Sequence, residues 1–258
     1  MSKFNSHFIA VVSMLSIALS ANAGFTVTYE NAGVLNTTAT FDYTGVETFD
    51  SRSIDTNQTF TTDFGTSSDP IKITGTYKNV QIMEFDQYGG AGNSGNYAVA
   101  LRTGASYDLE LSAEDNDGAV PITYFGYWLS ALDAGNQVDF YRGDDLLFTF
   151  DPTTVINAIG SCSGATNLYC GKPETNPIQN PGEQYVFVNF YDDSGVGFDR
   201  IHFYETNAAN GGYESDNHTV GYYKEKGGNL VEVPEPASLL LVGLALLGMS
   251  GVRRYSSK

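Results

Sequence analysis

Between residues 24 and 233 apolar side chains recur at every second position in short runs, and no 15-residue stretch holds a helical period with caps. Side chains along a strand point alternately to opposite faces, so such runs bury one face and need a second sheet to cover it. The runs predict strands at Phe25 to Glu30, Thr38 to Tyr43, Gln58 to Phe64, Ile71 to Tyr77, Val80 to Phe85, Tyr97 to Arg102 and Tyr107 to Ser112. Further strands are expected at Ile122 to Ser130, Gln137 to Arg142, Leu146 to Phe150, Tyr185 to Tyr191, Asp199 to Tyr204 and Thr219 to Tyr223. Short strands divided by turn-rich segments predict an all-β fold, an antiparallel, jelly-roll-like β-sandwich in one domain of about 200 residues.

The clearest unit is Ile122 to Asp151. Val138 and Phe140 alternate with Asp139 and Tyr141, one face for the core and one for water, and the turns at Leu132 to Asn136 and Gly143 to Asp145 predict a three-stranded meander. Pro152 to Ile159 reads as a single short helix, with Asp151 placed to cap it and Pro152 suited to its first position. Trp128, the single tryptophan, is expected as a core anchor, with a sugar-stacking platform as the other reading. Gly89 to Asn96 has no strand-to-helix context for a phosphate loop and reads as a mobile connection.

Charge removes one class of function. Of 13 basic and 30 acidic side chains, Lys3, Arg253, Arg254, Lys258 and Glu235 lie outside residues 24–233, which leaves nine basic against 29 acidic groups there. Phosphate neutralisation needs clustered Lys and Arg, so no nucleic-acid partner is expected.

The two ends read as addresses. Lys3, the apolar run Phe8 to Leu19 and the Ala21-Asn22-Ala23 site compose a signal peptide, residues 1–23, with signal peptidase expected to cut before Gly24. At the other end Val233-Pro234-Glu235-Pro236 precedes the apolar run Ala237 to Val252 and then Arg253-Arg254. Sixteen helical residues span about 24 Å against roughly 30 Å of hydrocarbon, so the expected single apolar helix is a marginal membrane anchor that needs the Arg pair to snorkel. The positive-inside rule leaves that pair in the cytoplasm and tethers the precursor on the outer face of the inner membrane. Pro234 and Pro236 keep the collar extended, as a protease substrate must be.

This tail closely resembles the PEP-CTERM sorting domain of Gram-negative bacteria. The resemblance implies processing by an exosortase, a membrane-embedded cysteine-type transpeptidase that removes residues 234–258 and passes the protein to the envelope or extracellular matrix. Tyr124 to Ala131, Tyr185 to Phe190 and Gly212 to Val220 look like blocks of one family of exosortase-dependent surface proteins; the resemblance covers Gln87 to Val220 and carries over no catalytic residue. The β-sandwich domain is accordingly placed at 24–223 and a flexible stalk at 224–233.

Cys162 and Cys170 in an exported chain predict a disulfide, whose nine-residue loop is worth about 2.5 kcal/mol in the chain-entropy model. Glu114-Asp115-Asn116-Asp117-Gly118 gathers oxygen donors in one turn and makes Asp115 and Asp117 candidate Ca²⁺ ligands, although an EF-hand register fails; Asp192, Asp193 and Asp199 are a second candidate set. Solvated loop acids are the competing reading, and no other cofactor is expected. His202 and His218, the histidines left after signal removal, are 16 residues apart and lack zinc spacing. Ser194, Asp216 and His218 follow the chain order of an esterase, but no G-x-S-x-G elbow is present, so no catalytic residue is assigned.

The expectation is a non-enzymatic envelope or matrix protein linked to biofilm or exopolysaccharide. A β-sandwich carbohydrate-binding module, with or without Ca²⁺, is the alternative. An envelope-polymer hydrolase is third, and would need two carboxylates about 5 Å apart in a groove.

Overall fold

A strand satisfies its backbone polar groups by pairing, and here every pairing among the described residues is antiparallel. The computed structural model describes residues 24–101, 105–163, 167–173, 175, 178–206 and 212–231. In chain order the elements begin with β1 (Phe25–Tyr29), β2 (Thr40–Glu47), β3 (Asp55–Thr62), β4 (Lys72–Glu84), β5 (Asn96–Leu101), β6 (Ser106–Asp115) and β7 (Gly118–Ala119). They continue with β8 (Tyr124–Leu132), β9 (Asn136–Arg142), β10 (Asp145–Phe150), α1 (Thr153–Ile159), β11 (Cys170–Lys172), β12 (Gln179–Asp192), β13 (Arg200–Glu205), β14 (Gly212–Glu225) and β15 (Asn229–Leu230).

The strands form one hydrogen-bonded network that curls into two facing layers. The first runs β10-β9-β13-β6-β4-β3, and the second runs β14-β8-β12-β1-β15 with β5 and β2 along the outer side of β14. Between them lies an aromatic core. Phe140 of β9 meets Phe190 of β12 at 5.0 Å, Phe203 of β13 meets Phe125 of β8 at 5.7 Å, and Phe148 of β10 stacks on Phe25 of β1 at 5.0 Å. The expected all-β antiparallel sandwich is therefore present, as a single curled sheet.

Two strands that the sequence separates, Ile71 to Tyr77 and Val80 to Phe85, are one. Asn79 sits at φ 62°, and this bend lets the first half of β4 pair with β6 and the second half with β5, so β4 turns the corner between layers. The expected meander is only half present. β9 and β10 form a hairpin closed at Gly143, but β8 pairs with β12 and β14, so Leu132 to Asn136 crosses from one layer to the other. A crossing is possible because Val138 and Phe140 enter the shared core from the opposite side to Phe125 and Tyr127.

The short helix is present but starts one residue later than expected, with Pro152 at the cap position in helical φ and ψ, and Asp151 Oδ1 accepts from Thr153 N–H at 2.9 Å. Cys162 and Cys170 are bonded, with Cα atoms 5.5 Å apart. Among the described residues no helix is long and apolar enough to cross a membrane; the apolar run Ala237 to Val252 lies outside them.

The expected stalk at 224–233 is not a stalk over its described part. Lys226 Nζ donates to Asp193 Oδ1 at 2.6 Å, and Gly227 O accepts from Thr28 and Tyr191. β15 pairs with β1, and buried Val231 donates its N–H to Val27 O at 3.0 Å. The pairing of this segment with the first strand joins opposite ends of the domain, a contact that local composition does not reveal. Limited trypsin digestion of the folded protein should leave the bond after Lys226 intact under conditions that cut an unfolded control; rapid cleavage there would restore the stalk.

Candidate functional site

Titratable groups with strongly altered acidity gather on β14. In plain alternation Glu214, Asp216 and His218 would share one face of the strand. A bulge intervenes at Asn217, whose φ is 50°, and the pairing with β8 slips between Asp216 and Thr219. The extra residue leaves Glu214 and Asp216 on the outer face and turns His218 inward beside Ser215.

Inside, a hydrogen-bonded chain links the layers. Tyr77 OH lies 2.9 Å from His218 Nδ1, His218 Nε2 lies 2.9 Å from Ser215 Oγ, and Ser215 Oγ lies 2.8 Å from Tyr107 OH. Phe49, Phe125 and Phe203 surround the imidazole at 5.0 to 5.3 Å. Complete burial pushes His218 down to about 3, so the ring is neutral, donating through one nitrogen and accepting through the other. Ser215 and His218 are fully buried, which places them out of reach of any substrate in this structure.

Outside, β14 holds down two loops. Asp216 Oδ2 accepts from Ala91 N–H at 2.7 Å, while Asn217 donates to Leu35 O at 2.8 Å and Thr219 to Asn36 Oδ1 at 3.0 Å. The glycine-rich segment Gly89 to Asn96, expected to be a mobile connection, is instead tied down. Buried Lys172 donates to Asp86 O and, at 2.6 Å, to Gly89 O; Tyr185 OH donates to Gln87 O at 2.7 Å; Asn96 N–H donates to Asp50 at 3.1 Å. Gly89 itself lies so close to the Tyr97 ring that a Cβ would overlap it. Burial pushes Glu214 and Asp216 up to about 8, and lowers Lys172 against the opposing pull of the Asp86 and Asp216 carboxylates.

Trp128 lies under this cover, 1% exposed, packed with Tyr185 and Phe187. It is an anchor, as expected, but between the second layer and its loops rather than between the layers. No sugar ring can stack on it in this arrangement.

The sequence-predicted metal ligands do not converge. Asp115 Oδ1 accepts from Asp117 N–H at 2.8 Å in an exposed turn. Asp192 is buried and organises its own turn through Ser194 and Gly197, Asp193 is held by Thr26, Tyr223 and Lys226, and Asp199 accepts from Gly143 N–H at 2.9 Å. Among the described residues no group of three or more His, Cys, Asp or Glu side chains is placed to hold a metal ion. Ser194 donates to Asp192 at 2.5 Å while His218 is bonded to Tyr77 and Ser215, so the esterase order is not assembled. A groove of about 460 Å³ beside this turn is lined by Leu111, Val120, Ile122, Val196 and Phe198; Arg142 at its rim is engaged by Gly197 O.

The carbonyl of Gly24, the expected first residue of the mature chain, accepts from Asp193 N–H at 2.5 Å. Ala21, Ala23, Val233, Pro234, Glu235, Pro236, Arg253 and Arg254 lie outside the described residues.

The family described as the PEP-CTERM protein-sorting motif matches residues 232–254. The chain therefore carries that sorting signal, which marks an exported protein of the cell envelope processed by an exosortase. No curated protein matches the chain. Among solved structures it is similar to the K2 cleaved adhesin domain of Lys-gingipain, with 15% identity over 69% of this chain and 99% of that one and a TM-score of 0.38.

The acidities carry a pH signature. Glu214 and Asp216 hold protons in the folded chain that the unfolded chain releases between its ordinary carboxylate range and pH 8. Their contribution to stability is whole at low pH and is lost as pH rises through about 8. His218 acts in the opposite sense, its contribution whole above pH 6.5 and lost as pH falls toward 3. Urea unfolding should show stability falling between pH 6.5 and 8, by about 1.4 kcal/mol per pH unit for each buried carboxyl. Glu214→Gln should remove about half of that slope; a flat wild-type profile would show that both groups are ionised in the folded state.

Proposed function

We propose that this protein is a non-enzymatic component of the cell envelope or extracellular matrix of a Gram-negative bacterium, delivered by its tail and acting through the surface of its β-sandwich. The observation that carries the reading is the sorting motif at residues 232–254, which follows directly on a folded domain whose reactive side chains are buried or engaged. Exosortase acts in this reading on the Pro234-Glu235-Pro236 collar, while the apolar run and Arg253-Arg254 hold the precursor in the inner membrane. A role in biofilm or exopolysaccharide organisation fits a strongly acidic, disulfide-stapled domain placed outside the cell.

The position of β15 adds a mechanical element. Buried Val231 is bonded to β1, and in the sequence only Glu232 and Val233 separate it from the Pro234-Glu235-Pro236 collar. A cut at the collar would leave β15 and Val231 within the released protein.

Mass spectrometry of protein recovered from the native cell should find the mature N-terminus at Gly24 and the C-terminus near Pro234 to Pro236. A strain expressing the chain without residues 234–258 should mislocalise a folded, disulfide-bonded domain. Recovery of molecules that all still end at Lys258 would overturn exosortase delivery. Turnover of an envelope polymer by the purified protein would overturn the non-enzymatic reading.

A further inference from the structure

The two layers differ in what covers them. The outer face of the second layer is roofed by loops, and its residues Tyr124, Trp128, Phe187, Asn189 and Tyr191 are all buried. On the first layer most outward residues of β6, β9 and β13 meet solvent: Asp108, Arg200 and His202 keep 28 to 29% of their side-chain surface and Glu110 keeps 47%, while Asp139 is buried beneath its neighbours.

The side chains on this open face are planar, polar and already ordered. The Arg200 guanidinium lies 3.8 Å from the centre of the Tyr141 ring, and the His202 ring stacks on Tyr204 with centroids 5.2 Å apart. Both phenols turn toward one buried carboxylate, Tyr141 donating to Asp139 Oδ2 at 3.1 Å and Tyr204 to Asp139 Oδ1 at 3.3 Å, where Thr149 also donates at 2.7 Å; Asp139 thus holds the two rings in place. Asp108 accepts from His202 at 2.9 Å and sits 3.6 Å from Arg200. Carboxylate oxygens and phenol oxygens with spare lone pairs accept from hydroxyls, guanidinium and imidazole N–H groups donate to them, and flat rings offer surface to C–H groups. Rings and donors held in place before binding lose little freedom when a ligand arrives.

From this geometry we infer that the outer face of the first layer, centred on Tyr141, Tyr204, His202, Arg200 and Asp108, with buried Asp139 positioning the two phenols, is a binding site for an uncharged polysaccharide chain. A pyranose unit presents what the face can meet, C–H patches for the rings and a fringe of hydroxyls for the paired donors and acceptors. Charge selects within the class: with nine basic against 29 acidic side chains between residues 24 and 233, the domain repels polyuronates and other polyanions. Dimension selects a polymer. Tyr204 pairs with Gln137, four residues along β9 from Tyr141, so their backbones are about 13 Å apart along the strand while their hydroxyls converge on Asp139, and Arg200, His202 and Asp108 continue the polar fringe across the neighbouring strands, a footprint wider than one sugar ring. The inference rests on the envelope or matrix role proposed above and names its ligand class.

The test uses the mature protein as released from cells, titrated calorimetrically with cellohexaose, chitohexaose, laminarihexaose, maltohexaose and mannohexaose, and with hexagalacturonate as the polyanion. At least one neutral hexasaccharide should bind, and hexagalacturonate should not. Tyr141→Ala combined with Tyr204→Ala should weaken binding at least about tenfold, whereas Tyr204→Phe, which keeps the ring, should stay within about threefold of wild type. Asp117→Ala, away from the face, should leave affinity unchanged, and near-ultraviolet circular dichroism checks that each variant is folded. No binding of any neutral hexasaccharide by the folded wild type, tighter binding of hexagalacturonate, or full affinity in the folded double variant would overturn the site. Correct tail removal and localisation of the double variant keep this outcome separate from the delivery reading: loss of sorting would sink that reading alone.

Discussion

The bulge at Asn217 is the constraint on which the rest of the structure depends. A strand that alternates without interruption would send Glu214, Asp216 and His218 to one face and leave either a histidine under the loops or two carboxylates in the aromatic core. One extra residue resolves the conflict. His218 turns down into a chain with Tyr77, Ser215 and Tyr107 that links the two layers, and Asp216, Asn217 and Thr219 tie two loops to the sheet above. Each group is buried with a partner, the condition under which buried polar groups specify a structure.

That seam also explains why the two layers have different fates. Once the loops at Leu35 and Ala91 are pinned, the outer face of the second layer becomes a second interior, filled by Trp128, Tyr185 and Phe187. Gly126 belongs to the same design, since any Cβ there would strike the Tyr124 hydroxyl, which needs that space to donate to Asn189 at 2.6 Å. Among the described residues no loop roofs the first layer, so Arg200, His202 and Asp108 stay partly exposed.

The described chain closes on itself at its two ends. β1 begins one residue after the expected signal cleavage, pairs with β12 on one side and accepts β15 on the other. The sorting motif follows at residue 232, immediately after buried Val231. The first and last strands of the domain thus brace each other.

Local pattern was enough to read the class of fold, the short helix behind Asp151 and Pro152, the Cys162–Cys170 bond and the tail at Val233 to Arg254, because each rests on residues near one another in sequence and on the chemistry of their side chains. The same pattern misread Leu132 to Asn136 as a hairpin, split β4 at Asn79, and took Gly89 to Asn96 and Lys224 to Val231 for loose connections. In each case the deciding contact is distant: β8 with β12, β4 with both β5 and β6, Ala91 with Asp216, Val231 with Val27. The block Gly212 to Val220 signalled that β14 mattered, yet the sequence carries no mark of which residue bulges, since a one-residue slip changes every facing partner without changing the pattern. Destination and β character were therefore determined by the sequence alone. Which face is sealed, which is open and which acids are buried were decided by tertiary pairing, because burial depends on what lies across the sheet and not on what lies next along the chain.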